Sequence, residues 1–163
     1  MKLRLTLCCI AVVALAIAFL VWPSERYNPS KDSALQEVIT TSSRSAELLS
    51  LMESTPKEQQ REMAFLIKNM PDFDRETMDL ALLKENVEYA HMVRERYTWA
   101  KQLPEDVYLY DMLPYHVVDE VRDSWRKELY ELFAPAVDTC STMYDALCAV
   151  NANIPRLTGV DYN

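Results

Sequence analysis

Glycine is almost missing from this 163-residue chain, with Gly159 the only one. That scarcity excludes a Gly-rich phosphate loop, a G-x-G-x-x-G dinucleotide turn and a supply of tight glycine hairpins. Alternating β-branched runs are absent as well, so a sheet would have neither its strands nor its turns. Histidine is scarce, with only His91 and His116 to serve as base or metal ligand. Positive charge is in deficit: 17 Lys and Arg face 25 Asp and Glu, for a formal charge of −8. Lys2 and Arg4 belong to the leader, so the body is more acidic still. An acidic body repels phosphate backbones, which argues against nucleic acid as a partner; the simpler consequence of the charge is solubility. What is left is an all-α chain of one domain, long enough to bury a core of its own.

Residues 1–22 read as a signal peptide or membrane anchor. Met1 to Arg4 is a short basic start, and Leu5 to Trp22 is apolar apart from Thr6. The run is longer than a usual cleavable segment and just long enough to span a membrane. Cutting after Ala18 would strand Phe19 to Trp22 on the mature end, and Trp22 suits a membrane interface, so a retained anchor is the favoured reading. The body would then lie outside the cytoplasm, periplasmic or on the extracytoplasmic face of the membrane. Leu7 precedes Cys8 where a lipoprotein needs a small residue, so Cys8 and Cys9 read as membrane-embedded thiols.

Residues 23–31 read as a linker, and residues 32–163 as an array of five or six helices. Asp32 or Ser33 can cap a first helix with Leu35, Val38, Ile39, Ala46 and Leu49 on its stripe, weak at Thr40 to Ser45. Thr55-Pro56-x-Glu58 has the form of a capping box opening a helix with Met63, Leu66 and Ile67, which Pro71 ends. The longest helix is expected from about Asp74 to Tyr97, with Leu80, Leu83, Val87, Ala90 and Tyr97 inward. Pro104 can open a short helix that Pro114 limits, and Val118, Val121, Trp125, Leu129 and Leu132 make the stripe of the next, which Pro135 breaks. A last helix over about Ser141 to Asn151 would bury Met143, Ala146, Leu147 and Val150. Leu113-Pro114-Tyr115-His116 makes a corner of large side chains, expected to sit under other elements. Trp125 is expected mostly buried and Trp99 partly so.

The order Met70-Pro71-Asp72, Leu83-x-Glu85-Asn86-Val87, Trp99, Leu103-Pro104-Glu105, Leu113-Pro114-Tyr115, Arg122-x-x-Trp125-Arg126, Phe133-x-Pro135 and Cys140 resembles the helical region preceding the catalytic core of secreted, transglutaminase-like (papain-like) bacterial proteins. The likeness covers scattered positions from Met63 to Asn163. It implies that the family's Cys-His-Asp triad belongs further along than this sequence runs, and that this piece is non-catalytic.

Four constellations could carry chemistry. Glu88-x-x-His91, with Glu95 a turn further on, has the spacing of a di-iron ligand pair; His116 lacks a matching glutamate, so a solvated polar face is the simpler reading. Cys140 and Cys148, if both helical, would stand about 12 Å apart at ~1.5 Å per residue, too far for a disulfide. A bridge needs Cys140 outside the helix with the chain folded back, which an oxidising compartment would favour, and buried free thiols are the expected state. A cysteine nucleophile needs a histidine base, and both histidines precede Cys140, so neither cysteine is expected to be catalytic. Arg122, Trp125 and Arg126 could hold an anion or sugar, but a core tryptophan with arginines paired to Asp119, Asp123 or the preceding acidic helix is simpler.

No catalytic, cofactor-binding or metal residue is therefore assigned, and no cofactor is expected. The leading expectation is a non-catalytic module packing against a catalytic transglutaminase-like domain. Its rival is a complete small exported helical protein that binds another envelope protein, and a metal-binding bundle is a distant third. In the leading reading the membrane is met through residues 5–22. Tyr144, Cys148, Ile154 and Val160 would be left uncovered, Ile154 to Asn163 would be poorly packed or disordered, and the chain would tend to self-associate at this end.

Overall fold

A computed structural model describes residues 27–116 and 121–159, and every described regular element is helical. The apolar run of residues 5–22, Val118, Asp119 and Val160 lie outside the described residues. Within them, no helix is long and apolar enough to cross a membrane.

Among the described residues, nine helices follow a 3-10 turn at Pro29–Lys31: α1 Ser33–Thr41, α2 Ser45–Ser54, α3 Gln60–Asn69, α4 Asp72–Thr77, α5 Leu80–Arg96, α6 Thr98–Lys101, α7 Glu105–Val107, α8 Trp125–Val137 and α9 Met143–Thr158. This exceeds the five or six expected, because two long helices are each broken once and the short α6 follows the second of them. The first divides at Ser42 to Arg44, between α1 and α2. The second divides at Met78 and Asp79, between α4 and α5. The two breaks face and hold each other. Glu76 accepts from Ser42 Oγ at 2.7 Å, from the Ser43 N–H at 3.3 Å and from the Ser43 hydroxyl, while Arg44 Nη1 donates to the Met78 carbonyl at 2.7 Å. Serines compete with helical backbone for hydrogen bonds, and a carboxylate across the gap settles the competition.

Asp32 caps α1, accepting the Leu35 N–H at 3.0 Å. The capping box at Thr55 does not form. Thr55 instead ends α2, its hydroxyl donating to the Leu51 carbonyl at 2.7 Å, and α3 begins only at Gln60. Pro71 stops α3 as expected, and α5 buries Leu83, Val87 and Ala90. Pro104 caps α7, which widens into a π turn at Tyr108–Met112, where the Leu113 N–H reaches the Tyr108 carbonyl at 2.9 Å. Leu113 stays in helical geometry despite Pro114. This wider turn carries the backbone into the corner and puts Leu113 fully inside.

Helix α8 begins at Trp125, so the expected stripe loses its first turns and Val121 is 77% exposed. Nor does Pro135 break α8. It sits near the C-terminal end, where few amide bonds remain to lose, and Asp138 N–H still reaches the Ala134 carbonyl. Helix α9 likewise runs past Asn151 and through Pro155 to Thr158, with Gly159 at φ 71° as its left-handed cap. Ile154 to Thr158 are thus helical, with Pro155, Arg156 and Thr158 exposed.

The main core gathers Leu35, Ile39, Leu48, Met63, Ile67, Leu83, Val87 and Leu113, and Tyr115 of the corner joins it, as the corner's composition implied. A smaller cluster of Tyr97, Ala100, Val137 and Ala146 joins α8 and α9 to the end of α5 and to α6.

Candidate functional site

The Leu113–His116 corner is held by polar groups from three directions. From α5, Asn86 Nδ2 donates to the Leu113 carbonyl at 2.8 Å. From α8, Arg126 Nη2 donates to the Met112 and Pro114 carbonyls at 2.8 and 3.0 Å, its Nε donates to Asn86 Oδ1, and Trp125 Nε1 donates to the Tyr115 carbonyl at 2.7 Å. From α4, Asp74, itself only 1% exposed, accepts from Tyr115 Oη at 2.5 Å and pairs with His116 Nε2 at 3.3 Å and with the Arg122 guanidinium. A corner with its carbonyls out of the helical ladder needs such donors. Burial, and then the bond to Asp74, raise the Tyr115 pKa above the ordinary phenol value, so its hydroxyl stays a donor.

The anion or sugar constellation is therefore occupied from within. Trp125 is largely but not fully covered, with the Arg126 guanidinium 4.4 Å from its ring centre. Among the described residues, Arg122 pairs with Asp74, and Arg126 with an amide and two carbonyls, while Asp119 lies outside them. Trp99 is half-buried as expected and stacks on Tyr97 at 5.0 Å.

The Glu88, His91, Glu95 set does not converge. Glu88 is exposed, Glu95 pairs with Lys101 at 2.9 Å, and His91 Nδ1 lies 3.0 Å from Glu62 of α3. Glu62 is only 5% exposed, and its hydrogen bond raises the His91 pKa above the ordinary value against the opposing effect of burial. Both histidines are thus committed to buried carboxylates. Glu62 and Asp74 were unrecognised in the sequence, where nothing sets a buried carboxylate apart from a solvated one. Among the described residues no three Asp, Glu, His or Cys side chains gather as metal ligands.

Cys140 and Cys148 are free thiols, but not buried ones: Cys140 is half-buried with Sγ 3.6 Å from the Ala136 carbonyl, and Cys148 is exposed. Cys148 belongs to an exposed apolar face of α9. On α9, Met143, Tyr144 and Leu147 are 44%, 73% and 65% exposed, and only Ala146 of the helix is buried. The spacing of 143 with 147 and 144 with 148 puts all four on one face. Met143 and Leu147 were expected inside; α8 and the short α6 leave this face uncovered.

No protein-family model, curated protein or solved structure matches the chain.

Proposed function

We propose that this chain is a non-catalytic, exported helical module whose α9 face packs against a catalytic transglutaminase-like domain, with residues 1–22 as signal or anchor. The observation that carries the docking role is the uncovered row Met143, Tyr144, Leu147 and Cys148, since a helix that buries one alanine of its own is poorly held unless another surface completes it. The family identity of the partner rests on the motif order from Met70 to Cys140. The corner, bound by Asn86, Asp74, Trp125 and Arg126, is the rigid base that orients α8 and α9 for docking.

One observation favours the rival, an exported helical protein that binds another envelope protein. Helix α9 is regular to Thr158 and closed by Gly159.

A photo-crosslinking residue at Tyr144 or Leu147 of the full chain in its native cell tests the proposal. Cross-linking to a transglutaminase-like domain, lost with Leu147→Glu, is the expected result. An identified envelope protein without that domain moves the assignment to the rival. A cross-linked homodimer alone assigns the face to self-association.

A further inference from the structure

A small cavity of about 80 Å³ lies where the main core meets the α6–α9 cluster. It is several times the ~10–15 Å³ that a single water needs. Ala90, Val93 and Leu103 form apolar walls. The polar groups on its lining are donors. Trp99 Nε1 and Tyr108 Oη are both buried without a hydrogen-bond partner, and Tyr108 is only 2% exposed. Arg126, also on the lining, finds only neutral acceptors among the described residues: the Asn86 amide oxygen and two carbonyls. Arg94 is already matched by Glu105 at 2.7 Å. Burial, then Glu62, push the Tyr108 phenol up, so it keeps its proton. Burial pushes Arg126 down to about 10, so it still carries its charge at neutral pH.

Buried donors without acceptors are rare in folded proteins, and two on one cavity beside an arginine without a carboxylate form an electron-poor pocket with a greasy wall. We propose that this cavity binds a small carboxylate of acetate or propionate size. Its oxygens accept from Trp99, Tyr108 and Arg126, and its alkyl end lies on Ala90, Val93 and Leu103. This inference is independent of what covers α9.

The tryptophan reports directly on the site. Full-length, isotopically labelled protein in mild detergent is titrated with sodium propionate at constant ionic strength, and the indole N–H resonances are followed. The expected result is saturable movement of one indole resonance in the millimolar range, which Trp99→Phe removes from the spectrum. Tyr108→Phe, which deletes one donor, should weaken the affinity about tenfold. Three outcomes overturn the proposal. One is no saturable movement into the tens of millimolar, the sign of a site holding water only. Another is movement of a resonance other than that of Trp99. The third is equal movement with sodium chloride, the sign of an adventitious ion only. The titration of the unmodified protein decides the matter even if a variant fails to fold.

Discussion

Replacing Asp74 is the sharpest test of the corner as the organising element. Its carboxylate is 1% exposed and serves Tyr115, His116 and Arg122 at once. In Asp74→Ala the Tyr115 hydroxyl, in a residue 7% exposed, is left without its acceptor, at a cost of about 1–2 kcal/mol. Stranding one partner of a fully buried ion pair costs about 3–5 kcal/mol. Arg122, however, is 34% exposed and can turn to water, so only about 1 kcal/mol of that applies here. The sum is about 2–3 kcal/mol, which lowers the midpoint of thermal unfolding by roughly 4–12 °C for a domain of this size. Asp74→Asn keeps an acceptor for Tyr115 and should lose about half as much. Circular dichroism melts of the full chain in mild detergent measure both. In the double variant with Tyr115→Phe the two losses should be less than additive by about 1 kcal/mol. A loss below about 1 kcal/mol for Asp74→Ala, or strict additivity with Tyr115→Phe, would refute the coupling.

Trp125→Ala should cost about 2–3 kcal/mol, somewhat less than a fully buried indole, through lost apolar cover and the lost bond to the Tyr115 carbonyl; chemical or thermal unfolding reads it. The His91 pKa is raised in the folded state by Glu62, so the stabilisation it brings is fully present below the unfolded value of about 6.5 and is lost as pH rises through the higher folded value. Melting temperatures from pH 5 to 9 should show that decline in the native protein and lack it in Glu62→Gln. Maleimide labelling followed by mass spectrometry should modify exposed Cys148 well before half-buried Cys140, and the order should reverse only if α9 detaches.

The all-helical class followed from the sequence alone, because one glycine and no alternating strand pattern leave little else, and helical periodicity correctly put Leu83, Val87, Met63 and Ile67 inside. The burial of Leu113 and Tyr115 was also legible, since bulky residues around a proline corner have nowhere else to go. Local pattern failed where long-range partners decided. Ser42 and Ser43 could equally have continued a helix until Glu76, 33 residues or more away, took their hydrogen bonds. Thr55 had the sequence of a start and became a stop because its hydroxyl found the Leu51 carbonyl. Met143 and Leu147 carried the period of a buried face, yet period records only which residues share a side. Which side is covered depends on the neighbours the chain supplies, and for α9 that leaves Tyr144, Leu147 and Cys148 facing out. Burial of Asp74 and Glu62 was beyond reach for the same reason: a carboxylate enters a core only when donors from distant helices meet it there, and only the tertiary structure brings Tyr115, His116 and His91 to those two acids.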